Sequence, residues 1–205
     1  MKHKKVAVIN IGIGNIGSVI NCLNKLNFEP TIISNGQELT DFCPTHILMP
    51  GVGSVKQVMK NINHGNLIET LEDLVLKKNC RICGICAGMQ ILTESSEEFG
   101  LTECLGWIPG RVKKINSNGL SVPHIGWNTM NSNKDPIFKG IEDMDMYFAH
   151  SYAADCPEDY IISYTNYGSK FVSAIRKNNI YGIQSHPEKS AEIGAIFFKN
   201  FLSLE

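Results

Sequence analysis

Charge excess, long apolar runs, paired cysteines and repeated segments are all scarce in this sequence, and each scarcity closes off a class of function. Lys plus Arg number 19 against 20 Asp plus Glu, a net charge of −1 at pH 7. A nucleic-acid-binding face needs a basic stripe and a membrane-surface protein a polybasic patch, so neither class is indicated. No apolar run reaches the roughly 20 residues that cross a bilayer. The opening Met-Lys-His-Lys-Lys meets an apolar stretch, Val6 to Ile9, too short for a signal-peptide core, and the expectation is a cytoplasmic protein. Seven cysteines, scattered at positions 22, 43, 80, 83, 86, 104 and 156, make no disulfide framework. Most are expected to be small buried hydrophobes in a reducing compartment. There is no linker, internal repeat or P-loop, and the 205 residues are expected to form one domain, residues 1–205.

What is present reads as alternating strands and helices. Lys5 to Asn10, Thr31 to Ile33 and Thr45 to Met49 are strand-like, and Val19, Ile20, Leu23 and Leu26 recur at helical spacing between the first two. Leu67 through Lys78 has the apolar stripe of an amphipathic helix leading to a β-branched run at Arg81. After Phe99 the pattern changes: glycines and prolines from Leu105 to Asn133 surround a half-exposed strand, Arg111 to Ile115. Strand candidates follow at Met144 to His150, Tyr160 to Thr165, Phe171 to Arg176 and Ile180 to Ile183, and a helix closes the chain from Ala191 to Leu204. The expected fold is α/β, with a mostly parallel central sheet flanked by helices and an antiparallel β extension.

Two motifs suggest cofactors and fail on their context. Gly12-Ile-Gly14-Asn-Ile-Gly17 matches a dinucleotide fingerprint, but the next strand, Thr31 to Ile33, ends in Ser34-Asn35 with no acidic residue to hold a ribose. Cys80, Cys83 and Cys86 have the spacing of cluster ligands, but no fourth cysteine follows suitably and the stretch reads as strand, not ligand loop.

The chemistry points to Gly84-Ile85-Cys86-Ala87-Gly88, which has the form of a nucleophile elbow with cysteine in place of serine. Such a turn needs small residues two positions either side of the nucleophile, because neighbouring backbone comes close. A thiol at the start of the following helix also meets unpaired N–H groups, which favour thiolate. A base is available near the other end, in Gln184-Ser-His-Pro-Glu-Lys-Ser190. If the strand continues to Glu188, period-two geometry puts His186 and Glu188 on one side, and Cys86, His186 and Glu188 form a triad. Gln90, one helical turn beyond Cys86, can face the same pocket.

These stretches, with Gly14-Asn-Ile-Gly-Ser18, Pro50-Gly-Val-Gly53, Pro123-His-Ile-Gly-Trp-Asn128 and His150-Ser-Tyr152, occur in the order found in a known family. The chain resembles the class I (triad) glutamine amidotransferases, of flavodoxin-like fold, and most closely the glutaminase subunits of imidazole glycerol phosphate synthases. Two departures stand out: Ala87 occupies a place where that subunit family usually carries leucine, and the segment after Gly53 lacks the aromatic often found there.

The resemblance implies hydrolysis of glutamine to glutamate and ammonia, without metal or organic cofactor. It implies Val52, Gly53 and the N–H of Ala87 at the oxyanion site, and Gln90, His150, Ser151 and Tyr152 around the substrate. It implies a (βα)₈-barrel cyclase as heterodimeric partner, met by Asn15, Trp127, Tyr147 and Lys189. That partner uses the ammonia to make imidazole glycerol phosphate and AICAR in histidine biosynthesis; a paralogous pair would serve amination in surface-sugar biosynthesis. Cysteine peptidases and γ-glutamyl hydrolases share the Cys-His-acid logic, and a regulatory module that binds glutamine without turnover is the non-enzymatic rival.

Overall fold

The computed structural model describes residues 4–12, 14–142 and 144–205. Thirteen strands and six α-helices follow one another among those residues: β1 (Val6–Ile9), α1 (Ile16–Lys25), β2 (Thr31–Ile33), α2 (Gly36–Phe42), β3 (His46–Gly51), α3 (Val55–Ile62), α4 (Leu67–Glu72), β4 (Arg81–Cys86) and α5 (Ala87–Gln90). Next come β5 (Ser95–Ser96), β6 (Thr102–Glu103), β7 (Arg111–Lys114), β8 (His124–Ser132), β9 (Asp145–His150), β10 (Tyr152–Asp155), β11 (Ile161–Tyr167), β12 (Ser169–Lys177), β13 (Ile180–Ile183) and α6 (Ala191–Ser203).

The large sheet runs β2-β1-β3-β4-β13-β12-β11-β8-β9. Its first five strands are parallel, and from β13 onward each neighbour is antiparallel. This is the parallel sheet with an antiparallel extension expected from the sequence. A second sheet, β10-β7-β5-β6, is built from the glycine-rich stretch after α5 together with β10.

The parallel strands are buried on both faces, so their residues alternate between two apolar layers. Ala7, Ile9, Ile47, Met49 and Ile82 pack with Val55, Val58 and Ile62 of α3 and Leu67 and Leu71 of α4. Val6, Val8, Leu48, Cys83 and Ile85 pack on the other side with Val19 and Leu23 of α1 and Phe197, Phe198 and Phe201 of α6. Cys80, just before β4, belongs to the first layer and Cys83 and Cys86 to the second, so the three cysteines do not share one side of the sheet.

Three local expectations change. The helix at 67–78 is α-helical only to Glu72 and passes through a π turn, Asp73–Lys77, before β4. The elbow helix lasts four residues, because the Thr93 hydroxyl and N–H both take the Gln90 carbonyl and the chain peels off toward β5. The strand before His186 ends at Ile183, and Pro187–Lys189 form a 3₁₀ turn that Pro187 can open because it gives up no needed N–H.

Candidate active site

Cys86 sits where β4 passes into α5 with φ 55° and ψ −114°, a conformation disfavoured for a residue with a side chain. Neighbouring backbone enforces it. A Cβ on Gly84 would run into the Gly88 carbonyl, one on Gly88 into the Met49 carbonyl, and one on Gly51 would lie 2.6 Å from Gly88 N. The small residues anticipated on either side of the nucleophile are therefore required by contact with α5 and with the end of β3, which pairs Gly51 with Cys86.

His186 and Glu188 meet through the 3₁₀ turn, not through strand alternation. His186 Nδ1 lies 2.8 Å from Glu188 Oε1 with both side chains almost wholly buried, and His186 N donates to Tyr147 O at 2.8 Å. Burial works against a charged imidazole here, but hydrogen bonding to Cys86 and Glu188 and the negative charge of both outweigh it, raising His186 to about 10. Glu188 Oε2 is buried with no hydrogen-bond partner among the described residues, so the whole carboxylate charge is directed at one ring.

A cavity of about 550 Å³ opens over the nucleophile. Cys86, His186, Val52, Gly53, Gln90, His150, Ser151 and Tyr152 line it, and so do Asn15 and Lys189, which the sequence reading assigned to a partner surface. Ala87 is buried beside Cys86 at the start of α5, and Glu188 stands behind His186. Trp127 and Tyr147 lie apart from the cavity as a cross-strand pair on β8 and β9, ring centroids 6.2 Å apart, with Lys189 Nζ 5.5 Å from the Tyr147 ring. Trp127 is 56% exposed.

The His150 ring has no nitrogen free for a ligand. Nδ1 lies 2.9 Å from Tyr152 O and must carry the hydrogen; Nε2 then accepts from His124 Nδ1 at 3.1 Å, and His124 Nε2 from Asn128 Nδ2 at 3.3 Å. Burial, and to a lesser degree the nearby His124 and His186, drive His150 down to about 3, so it is neutral at pH 7. What residues 150–152 can offer a ligand is backbone and the side chains of Ser151 and Tyr152.

Two residues in or behind this wall were not singled out from the sequence. Glu98 lines the cavity while its Oε2 accepts from Val55 N at 2.9 Å, pinning the start of α3 just after Gly53. No motif marks it, since it sits in a polar loop. Gln184 Nε2 reaches Cys86 Sγ at 3.6 Å. It stands two positions before His186, inside a stretch already recognised.

A family model described as glutamine amidotransferase class-I matches residues 7–204. The imidazole glycerol phosphate synthase subunit HisH of Leptospira interrogans is 43% identical over 97% of this chain and 100% of that protein. The HisH subunit of Bdellovibrio bacteriovorus is 37% identical over 96% of this chain and 98% of its own length. Among solved structures, a glutamine amidotransferase superposes with a TM-score of 0.75 at 16% identity, covering 96% of each chain. PurLQS from Thermotoga maritima gives 0.72 at 20% identity, covering 97% of this chain and 98% of that one. At such identities the superpositions speak for the fold, while the family match and the HisH relatives speak for descent: the chain belongs to the class-I glutamine amidotransferases, among the HisH subunits of imidazole glycerol phosphate synthases.

Proposed function

We propose that this chain hydrolyses the side-chain amide of glutamine as the glutaminase subunit of imidazole glycerol phosphate synthase, with Cys86, His186 and Glu188 as its triad. The observation that carries this reading is a cysteine held at positive φ beneath a cavity, beside a histidine whose second nitrogen meets a buried carboxylate. The Cys86 thiolate attacks the amide carbon, and the oxyanion meets the N–H groups of Ala87 and of the Val52–Gly53 loop that follows β3. The His186 imidazolium gives its proton to departing ammonia, leaving a thioester on Cys86. The neutral imidazole then takes a proton from water, hydroxide adds to the thioester, and collapse of that adduct expels the Cys86 thiolate, with the carboxyl proton of the glutamate product passing to ammonia and the His186 imidazolium restored. Glu188 holds the ring in place throughout. Gln90, Ser151 and Tyr152 contact the substrate, and the Glu98 carboxylate suits its α-ammonium group.

The ammonia is used elsewhere. A (βα)₈-barrel cyclase binding as a heterodimer over the carboxyl ends of the parallel strands would receive it and form imidazole glycerol phosphate and AICAR in histidine biosynthesis, a cytoplasmic pathway. Cys86→Ala should abolish glutamine hydrolysis by the complex while synthesis from free ammonium continues. A diazo-ketone glutamine analogue should add one label per chain, on Cys86. Label on Cys83, or retained turnover in Cys86→Ala, refutes the assignment.

A further inference from the structure

Gln184 plays no part in the steps above, yet it is fully buried and its carboxamide bridges Cys86 and Gln90, both of which line the cavity. It follows directly on β13, and its backbone N–H donates to Ser173 O at 2.9 Å, so the sheet fixes where the side chain starts. Nε2 is 3.6 Å from Cys86 Sγ, and Oε1 is 3.0 Å from Gln90 Nε2.

A carboxamide can be turned over without changing shape, so the direction of such bonds needs a fixed reference. The Tyr152 carbonyl supplies it. A carbonyl oxygen only accepts, so Gln90 must present its NH₂ to it, at 2.8 Å. The second hydrogen on Gln90 Nε2 then points to Gln184, which must answer with Oε1, and what Gln184 has left for the sulfur is its own NH₂. Turning either amide over would set oxygen against oxygen or nitrogen against nitrogen at a buried position, where an unmade hydrogen bond is costly. The chain of bonds from Tyr152 to Cys86 therefore has one polarity.

Resting on the glutaminase reading, we infer that Gln184 is a positioning residue with two tasks. Its Nε2–H donates to the Cys86 sulfur, which favours the thiolate and fixes its rotamer. Its Oε1 occupies a Gln90 amide hydrogen, which leaves Gln90 Oε1 as the acceptor presented to an N–H group of the substrate.

Two nearly isosteric variants separate the tasks. Gln184→Glu keeps an oxygen for Gln90 but turns a second oxygen toward sulfur, whereas Gln184→Met removes both partners. Each is read in two ways: the pH dependence of Cys86 alkylation by iodoacetamide, followed on the Cys86 peptide by mass spectrometry, and KM and kcat for glutamine in the complex with the synthase partner. The alkylation midpoint should rise by about one pH unit in Gln184→Met and further in Gln184→Glu, as expected when a charge-assisted hydrogen bond is lost or reversed. The glutamine KM should rise about tenfold in Gln184→Met and stay within about twofold of wild type in Gln184→Glu, because only the first variant releases Gln90.

Thermal melts establish that each variant is folded. If Gln184→Glu alone fails to fold, the alkylation midpoint of Gln184→Met decides. An unchanged midpoint in a folded variant overturns the inference, and so does failure of both to fold, which makes Gln184 structural. Because alkylation needs no glutamine, a shifted midpoint in a chain that never hydrolyses glutamine would reject the glutaminase reading and leave Gln184 in its place beside Cys86.

Discussion

At the scale of single residues, the charge on Glu188 is separable from its shape. Oε1 meets His186 Nδ1 at 2.8 Å and Oε2 has no partner among the described residues, so a glutamine could keep the one hydrogen bond with its amide oxygen while the charge disappears. Glu188→Gln should therefore retain its fold but with a lower thermal midpoint, because the buried His186 imidazolium loses its counter-charge and the new amide NH₂ is left without a partner. Its kcat should fall about 100-fold or more, since the imidazolium loses its counter-charge. A variant with wild-type kcat would remove Glu188 from the triad. Cys86, His186 and Glu188 could be singled out in the sequence because each stands in a short motif, although a 3₁₀ turn and not the expected strand alternation brings Glu188 to His186. Gln184 was not, although it is in the same stretch, because its meaning depends on the Tyr152 carbonyl 32 positions away by simple subtraction of residue numbers, a reference only the fold supplies.

Elements place the site through close backbone contact, and glycines differ in what that contact asks of them. Gly88 lies against β3, so a Cβ there strikes the Met49 carbonyl; around Gly53 no atom lies within 4 Å of such a Cβ, and only φ at +86° resists it. Gly88→Ala should lose much of the fold's stability, whereas Gly53→Ala should lose about 1 kcal/mol, the strain of a left-handed alanine. Denaturant titration of the two variants checks this, and equal losses would mean that α5 can move off β3. The same elements show what the sequence concealed. The parallel strands were readable because burial on both faces makes them continuous apolar runs, but α2 and α3 were passed over despite their cap signals. Asn35 accepts from Glu38 N at 2.9 Å while Glu38 accepts from Ser34 N at 2.8 Å, and Ser54 accepts from Gln57 N at 3.3 Å. Both helices are short, so capping outweighs periodicity in starting them. Strand β8 was hidden for the opposite reason: Gly126 within it, and Pro123 and Gly119 before it, read as breakers, while pairing with β9 and β11 on either side holds it extended.

For the molecule as a whole, buried histidines set opposing pH limits. His46 falls to about 4, chiefly through burial and then through Lys4 and Arg81, and His150 falls to about 3. Below the ordinary histidine value of about 6.5 the unfolded chain binds protons that these rings refuse, so stability drops as pH falls from there toward 3 to 4. His186 is raised, so its contribution is complete below about 6.5 and is lost as pH rises through 10. Denaturation across pH should give a maximum near neutrality, and Cys86→Ala, which removes a group that raises His186, should bring the alkaline loss to lower pH; a flat profile on both sides contradicts these assignments. The partner surface follows from the same whole-molecule view. Cys86, the loop after β3 and His186 all stand at carboxyl ends of parallel strands, so ammonia released at Cys86 would leave on that side. Beside it, Trp127 packs edge-on to Tyr147, whose carbonyl holds His186 N and whose ring lies under Lys189. An indole 56% exposed contributes little to the core, and its size and position suit a binding anchor. Trp127→Ala should keep its thermal midpoint, weaken synthase binding by about 2 kcal/mol or more, and reduce glutamine-dependent synthesis far more than synthesis fed by free ammonium. Calorimetric titration against the partner and paired assays with the two nitrogen sources check it: unchanged affinity and coupling would leave this aromatic pair without a role in the complex, and loss of fold would return Trp127 to packing.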